Sequence, residues 1–138
     1  MATQQELDKA YMKMAVEWGK LSKAQRRSVG ALVVKEGQII SDGFNGTPQG
    51  FPNVCEDSKG ETLKYVLHAE SNAITKLAKS TQSSGGSTLY VTMSPCTECA
   101  KLIIQAGIER VVYLEEYRLN QGINLLEEAG ISVNRLLL

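Results

Sequence analysis

The chain is poor in the residues that small proteins use for cross-linking and for much of their chemistry. Its 138 residues include one histidine, three cysteines and three prolines. An odd and small number of cysteines argues against a disulfide scaffold and fits a reducing cytoplasm. No apolar run approaches the ~18 residues of a membrane-spanning helix, and residues 1–6 lack a signal-peptide core. We therefore expect a cytoplasmic protein with no membrane partner.

Excess charge of either sign is also lacking. Fifteen basic and fifteen acidic residues give a formal net charge of zero. Duplex-binding and polymer-wrapping proteins usually need a basic face, so we expect no nucleic-acid partner. One phosphorylated small molecule remains possible. The densest basic cluster is Lys23, Arg26 and Arg27, and guanidinium groups suit phosphate oxygens, although a solvated loop explains the same residues.

The length predicts one domain, residues 1–138, and the hydrophobic content of 43% is adequate for a single core. Apolar residues at helical spacing predict a first helix over residues 4–21. The other predicted elements are strands 29–35 and 38–44, joined as a hairpin by a turn at Glu36-Gly37, then a loop over 45–60 and a helix over 62–79. They are followed by strand 88–93, helix 95–106 ended by Gly107, strand 111–114, helix 120–129 ended by Gly130, and strand 131–134. This alternation predicts an α/β fold whose sheet is mainly parallel and covered on both faces.

The scarce histidine and two of the three cysteines occur in two short motifs. His68 begins the sequence His-Ala-Glu, and Cys96 and Cys99 lie in Pro-Cys-Thr-Glu-Cys. One imidazole and two thiolates give zinc three ligands and leave its fourth position for water, as catalytic zinc sites do. Glu70 is close enough in sequence to carry protons for that water. The combined pattern is the signature of the zinc nucleobase deaminases.

Both motifs lie at predicted helix starts. Ser94 is the predicted N-cap and Pro95 the first residue of the helix that carries Cys96 and Cys99. Cysteines three apart share one face of a helix, and the positive helix N-terminus favours their thiolate forms. His68 falls early in the preceding helical run. Two facing helix starts could then hold one metal ion beyond the carboxyl end of a strand.

Other interpretations of the same residues stay open. A lone Cys-x-x-Cys pair can be a redox pair or half of a structural zinc site. If Cys55 were a fourth ligand, the site would be closed, and the chain would be a structural zinc module that binds a partner. The spacing argues against this, because Cys55 follows a loop-like stretch, residues 45–52, and has no second ligand nearby.

From about residue 11 to residue 133 the chain resembles the deoxycytidylate (dCMP) deaminases of the cytidine deaminase superfamily. Four segments carry the resemblance: residues 28–34, 43–50, 68–74 and 89–108. The last two place the chain in the superfamily, and the second points to the dCMP branch. That segment usually reads Gly-Tyr-Asn-Gly-x-Pro, and here Phe44 keeps the aromatic ring but loses the hydroxyl.

The resemblance implies a three-layer α-β-α sandwich around a five-stranded mixed sheet, and an oligomer that is commonly a hexamer. It implies a zinc enzyme that deaminates dCMP to dUMP and ammonia, supplying dUMP for dTMP synthesis. It also implies activation by dCTP and inhibition by dTTP, with Mg²⁺ on the triphosphate. The implied allosteric residues are Gly43, Phe44, Asn45 and Gly46; Glu56 or Asp57 could help to hold the Mg²⁺, although a solvated loop is the simpler interpretation of these two acids.

The resemblance also suggests how the nucleotide is held. Its implied contacts are Asn45 to a sugar hydroxyl and Tyr117 beside the nucleotide, with Ala69, Ser94 and Pro95 as further substrate-binding residues. Arg26 is the predicted phosphate contact, by its position three before Val29. Lys23 or Arg27 could replace Arg26, and Tyr117 could instead be a surface aromatic at an oligomer contact. A zinc ion on the three ligands would lower the pKa of water to about 7. Glu70 would then move the protons.

The motif core alone does not select the substrate. Other zinc deaminases act on dCTP, cytosine, guanine, a nucleoside or adenosine in transfer RNA. The Asn45 loop, the neutral charge and the stretch at residues 101–107 favour the nucleotide branch.

Overall fold

The computed structural model describes residues 1–138 and has four helices around one five-stranded sheet. The elements are α1 (Gln4–Gly19), β1 (Gly30–Lys35), β2 (Gln38–Phe44), α2 (Ala69–Leu77), β3 (Thr88–Met93), α3 (Thr97–Gln105), β4 (Arg110–Glu115), α4 (Gln121–Glu128) and β5 (Ser132–Arg135). No helix is long and apolar enough to cross a bilayer.

The sheet has the strand order β2-β1-β3-β4-β5 and is mixed. Strand β1 is antiparallel to both β2 and β3, whereas β3, β4 and β5 are parallel to one another. The mixed five-stranded sheet implied by the resemblance is confirmed, and so is the predicted hairpin of the first two strands, whose turn residues Glu36 and Gly37 both have positive φ. The alternation of strands and helices alone predicted a mainly parallel sheet. That holds for β3, β4 and β5 but not for the two pairs that β1 makes.

The two faces of the sheet are covered by different helices, which confirms the predicted three layers. Alternate residues of β1 supply both faces, because successive side chains of a strand point to opposite sides. Leu32 and Val34 pack with Met12 and Ala15 of α1. The opposite face is larger and contains Ala31, Val33, Ala69, Ala73, Leu77, Leu89, Val91, Ala100, Ile103, Ile108, Val111, Tyr113, Ile123 and Leu126.

Helix α1 begins with a capping box that follows from the spacing of Thr3 and Glu6. The Thr3 hydroxyl accepts the Glu6 amide at 3.1 Å, and the Glu6 carboxylate accepts the Thr3 amide at 2.8 Å. The C-terminal ends of α3 and α4 are marked by glycines, since Gly107 and Gly130 follow these helices and have positive φ. These two stops are as predicted, because glycine adopts the left-handed conformation without a steric cost.

The predicted helix over residues 62–79 starts too early. Residues 62–68 are not helical, and α2 begins at Ala69. The backbone of Leu67 pairs with that of Gly46, with N–H···O distances of 3.0 Å and 2.8 Å. This pairing holds Leu67 outside the helix, and His68 is the N-cap of α2. The segment from residue 45 to residue 67 is thus one long connection, and we call it the long loop.

Candidate active site

The structure brings the three predicted zinc ligands together at the N-termini of two helices. His68 is the N-cap of α2, and Cys96 is the N-cap of α3. The Cys99 and Cys96 sulfur atoms lie 3.3 Å and 3.5 Å from Nδ1 of His68, and all three ligand atoms lie within 4.8 Å of one another. A tetrahedral zinc ion separates its nitrogen and sulfur ligands by about 3.5 Å. The donor set therefore fits zinc in both type and spacing.

The start of α3 differs from the prediction, and the difference concerns Ser94. We predicted Ser94 as the N-cap and Pro95 as the first helical residue, but the helix begins two residues later, at Thr97. The Ser94 hydroxyl accepts the Tyr117 amide at 2.6 Å, and the Ser94 amide donates to the Glu115 carbonyl at 2.8 Å. Ser94 therefore continues the pairing of β3 with β4, which leaves Cys96 in the capping position.

The two thiols differ in acidity because they are coupled. Hydrogen bonds from Cys99 and then from His68 lower the pKa of Cys96 to about 3, against the effect of burial. The ionised Cys96 and burial raise the pKa of Cys99 well above its ordinary value. The hydrogen bond with Cys96 also raises the pKa of His68. One thiolate is thus ready for a metal ion, and binding must displace the proton of the other thiol.

Glu70 lies in the first turn of α2 and is only 4% exposed. Burial raises the pKa of its carboxyl group to about 7, although its backbone amide and the charge of His68 act in the opposite direction. A carboxyl group that titrates near neutral pH can both accept and donate protons there. The N-cap and first turn of α2 thus supply a predicted metal ligand and a proton carrier.

A cavity of about 550 Å³ opens in front of this cluster. It is lined by Ala24, Arg26, Arg27, Val29, Asn45, Cys55, Glu56, Thr62, Val66, His68, Ala69, Glu70, Met93, Ser94, Cys96, Glu116, Tyr117 and Arg118. Five of the six predicted substrate contacts are in this lining. The sixth, Pro95, is fully buried behind it.

The positive charges of the cavity come from two sides. Arg26 and Arg27 belong to the segment between α1 and β1, and Arg118 follows β4. Arg27 forms an ion pair with Glu115 at 2.7 Å, whereas Arg26 and Arg118 form none. Lys23 does not line the cavity. We did not single out Arg118 in the sequence; its position next to Tyr117 was the signal available.

The side chain of Asn45 bonds to the backbone at Val29 and Arg27. Its side-chain oxygen accepts the Val29 amide at 2.9 Å, and its side-chain nitrogen donates to the Arg27 carbonyl at 2.7 Å. The amide group thus braces the arginine-bearing segment while it faces the cavity. An amide can make further hydrogen bonds to a ligand, since its oxygen has a second lone pair and its nitrogen a second proton.

The other predicted allosteric residues make internal contacts. Gly43 packs against the backbone of α2, since an added Cβ would lie 2.4 Å from the Ala69 carbonyl oxygen. The ring of Phe44 meets the edge of the Trp18 ring, with 6.2 Å between centroids. Gly46 pairs with the backbone of Leu67. Of the four residues, only Asn45 lines the cavity.

Cys55, the third cysteine, is not part of the metal cluster. It is 2% exposed and contributes to the cavity wall. Burial, and next the charge of Glu56, raise the pKa of its thiol. A neutral thiol is a poor metal ligand, because the thiolate is the form that binds.

Gly122 in α4 is a site residue that our sequence reasoning missed. A Cβ on Gly122 would lie 2.1 Å from the Pro95 carbonyl oxygen and 2.9 Å from the Cys96 carbonyl carbon. The backbone of α4 therefore packs directly on the segment that presents Cys96. The Gln121-Gly122 pair at a predicted helix start was the only local signal, and it does not identify the packing partner.

An α-β-α sandwich with a His-Cys-Cys cluster and a buried glutamate beside it defines the zinc-dependent deaminase class. Residues 5–115 match the family described as "Cytidine and deoxycytidylate deaminase zinc-binding region". The chain belongs to this family.

Named relatives include the deoxycytidylate deaminases of Enterobacteria phage T4 and Saccharomyces cerevisiae. The phage T4 protein is 36% identical, with 81% of this chain and 80% of the relative covered. The yeast protein is 33% identical, and the match covers 93% of this chain but only 44% of the relative. Among solved structures, the fold matches the crystal structure of dCMP deaminase from cyanophage S-TIM5 in complex with dCMP and dUMP, with a TM-score of 0.94. The two sequences are 47% identical, and the match covers 97% of this chain and 99% of the cyanophage chain.

Proposed function

We propose that residues 1–138 act as one deaminase domain that hydrolyses dCMP to dUMP and ammonia and so supplies dUMP for dTMP synthesis. The observation that carries the proposal is the joint position of the His68–Cys96–Cys99 cluster and Glu70 at the base of a cavity with arginines in its walls. The 47% identity to the cyanophage dCMP deaminase over nearly the full length of both chains supports this substrate.

In the proposed reaction His68, Cys96 and Cys99 would hold a zinc ion, which would supply an activated water. Glu70 would accept one proton of that water and deliver it to the ring nitrogen next to the amino-bearing carbon, as the water oxygen bonds to that carbon. It would then take the remaining proton of the added hydroxyl and give it to the amino group. The carbon–nitrogen bond breaks, ammonia leaves, and a carbonyl group remains. A pKa of about 7 suits these transfers, since the group must both take and give protons at neutral pH.

Arg26 is our proposed phosphate contact, and Arg118 is a second arginine within the same cavity. Arg27 is less suited because Glu115 already holds its guanidinium group. Asn45 and Tyr117 are proposed to face the sugar, and Ala69 and Ser94 to face the base. The Arg26→Ala substitution should then reduce turnover of dCMP far more than that of deoxycytidine. An equal loss on both substrates would assign Arg26 a structural role.

The activity is tested by ammonia release from dCMP, dCTP, cytidine, cytosine and guanine under the same conditions. We expect dCMP to give the highest kcat/KM, and zinc at one ion per chain by metal analysis. A higher kcat/KM for any of the other four would replace dCMP as the proposed substrate. Zinc without turnover of any of the five would favour the structural zinc module.

We further propose that the enzyme is a homo-oligomer, a hexamer by resemblance. Leu7, Met14 and Trp18 of α1 and the following Leu21 are each at least 36% exposed. Apolar surface of this kind is typical of protein interfaces. Light scattering would test it, and a monomer at micromolar concentration would contradict it. A cytoplasmic location belongs to the same proposal, because thiol ligands need a reducing compartment.

Regulation by dCTP and dTTP, with Mg²⁺ on the triphosphate, is the part of the proposal that depends most on resemblance. If the residue 43–46 segment binds a triphosphate, dCTP and dTTP should change the affinity for dCMP in opposite directions. Allosteric coupling typically corresponds to roughly 5- to 150-fold in affinity. Glu56 is poorly placed for Mg²⁺, because one of its oxygens already accepts two backbone amides. Hyperbolic kinetics unaffected by either triphosphate would leave an unregulated deaminase.

A further inference from the structure

The segment that carries Arg26 lies outside helices and strands and is held through its backbone. We call residues 24–28 the arginine segment. The two amides of Gln25 and Arg26 both donate to the same carboxylate oxygen, Oε2 of Glu56, at 3.0 Å and 3.2 Å. Backbone amides without a strand or helix partner need such acceptors. Glu56 belongs to the long loop, so this contact joins two connections that are far apart in sequence.

The other end of the arginine segment is held from the same loop. Asn45 bonds to the Arg27 carbonyl and to the Val29 amide. The Ser22 hydroxyl, just before the segment, donates to the Asn45 carbonyl at 2.7 Å. The arginine segment is therefore fixed at both ends by polar groups of the long loop, while the side chains of residues 25–28 stay exposed.

We propose that Glu56 is a positioning residue for phosphate recognition, acting by fixing the backbone of the arginine segment so that Arg26 faces the cavity. This inference rests on the proposed function, because it assumes a substrate that carries a phosphate. Glu56 itself lines the cavity. A carboxylate near an anionic substrate is unfavourable by itself, so its presence there needs a compensating role. Accepting two amides of the segment that presents the arginine is such a role.

The geometry of the Glu56 contact allows its hydrogen bonds and its negative charge to be removed separately. Both amides converge on one oxygen. The carbonyl oxygen of a glutamine has two lone pairs and can accept both amides, but it carries no net charge. Glu56→Gln therefore keeps the positioning contacts and removes the charge, whereas Glu56→Ala removes both. Glu61→Ala is a matched control, since it removes an exposed carboxylate of the same loop that makes no hydrogen bond to the arginine segment.

The test measures kcat and KM for dCMP in the zinc-loaded parent and the three variants. Loss of a charge-assisted hydrogen bond corresponds to about tenfold in affinity, so Glu56→Ala should raise KM by about tenfold with kcat nearly unchanged. Glu56→Gln should have a KM equal to or below that of the parent, and Glu61→Ala should match the parent. Amide hydrogen exchange should quicken in the arginine segment for Glu56→Ala but not for Glu56→Gln.

Three results would overturn the inference. An unchanged KM in Glu56→Ala would show that the contact does not serve phosphate recognition. A lower KM in both Glu56 variants would mean that Glu56 acts only as a like charge near the substrate. A loss of kcat and of bound zinc would make the residue structural. If the parent does not turn over dCMP, the proposed function itself fails, and the phosphate role of Glu56 fails with it.

Discussion

The two faces of the sheet differ in how their contacts relate to the metal ligands. On the α1 face, Asp8 is 5% exposed and receives a two-pronged ion pair from Arg110 of β4, at 2.7 Å and 2.9 Å. The Tyr90 hydroxyl of β3 also donates to Asp8. A polar network of this kind fixes one helix to two strands through side chains. None of its residues lines the cavity.

Glycines allow close backbone contacts on both faces. On the α1 face, Gly30 of β1 packs against the Ala15 carbonyl of α1, and neither residue is a predicted metal ligand. On the opposite face, two such glycines lie next to the segments that carry the ligands. Gly43 lets β2 approach the first turn of α2, and Gly122 lets α4 approach the segment before α3. Both contacts lie directly beside a predicted metal ligand, because His68 is the N-cap of α2 and Cys96 is the N-cap of α3. We infer that substitutions on the α1 face cost mainly stability, whereas substitutions on this face cost zinc and activity. The predictions below test that division.

The largest expected effect is the loss of activity in Glu70→Gln. The glutamine keeps the shape of the side chain but cannot carry the protons, and general acid–base groups contribute about 10²–10⁴-fold. Stability should not fall. The folded-state pKa is raised from 4.5 to about 7, so the carboxylate disfavours folding as pH rises through that range. Zinc content and thermal unfolding at pH 7 provide the control. Activity within a few-fold of the parent would remove Glu70 from the mechanism.

The next effect is expected from Gly122→Ala. The new Cβ would meet the Pro95 carbonyl oxygen at 2.1 Å, so the backbone beside Cys96 must move. Changes in groups that orient metal ligands typically weaken metal binding by about 10- to 100-fold. Titration with a competing chelator measures this. Gly85→Ala is the matched control, because its Cβ would have only the Ser83 hydroxyl nearby, at 3.4 Å. Unchanged zinc affinity in Gly122→Ala would break the proposed division between the faces.

On the α1 face we expect Asp8→Asn to lower stability while kcat and zinc content stay unchanged. Burial acts to raise the pKa of Asp8, but hydrogen bonds from Arg110, Tyr90 and Gln4 lower it from 3.8 to about 2. That shift corresponds to roughly 2 kcal/mol of unfolding free energy. Urea unfolding at pH 7 measures it. Asp42→Asn is the control, since it removes an exposed ion pair with Lys76 and should cost at most about 1 kcal/mol.

The sign of the pH dependence follows from the lowered pKa. Asp8 contributes its full stabilisation above pH 3.8 and loses it as pH falls towards about 2. The parent should therefore lose more unfolding free energy than Asp8→Asn between these two pH values. Equal losses in the two proteins would show that the network does not stabilise the ionised form.

The ligands and the secondary structure were predictable because each has a local signal. His68 is the only histidine of the chain, and Cys96 and Cys99 are two of its three cysteines, so few sets of ligands were available. Gly107 and Gly130 have positive φ and each marks the end of a helix. The start of α2 was not predictable in this way. It depends on pairing between Leu67 and Gly46, a contact between residues far apart in sequence that leaves no periodic pattern.

The same limit applies to the side chains around the cavity. Asn45 and Glu56 differ little from ordinary loop residues in sequence, yet both bond to the arginine segment. Asp8 was missed for a related reason. It interrupts the apolar pattern of α1, and only the distant Arg110 explains why a carboxylate is buried there. Local patterns therefore identify residue chemistry better than they identify partners.

The smallest effect is expected from Cys55→Ser, which tests whether the metal site is open. Cys55 lies outside the ligand cluster, and burial keeps its thiol neutral. We expect one zinc ion per chain and activity within a few-fold of the parent, while Cys99→Ser loses zinc. A buried serine hydroxyl can lower stability slightly, so Cys55→Ala is measured beside it. Loss of zinc in both Cys55 variants would show a fourth protein ligand. The site would then be closed and structural, because no position would remain for the water that the reaction needs.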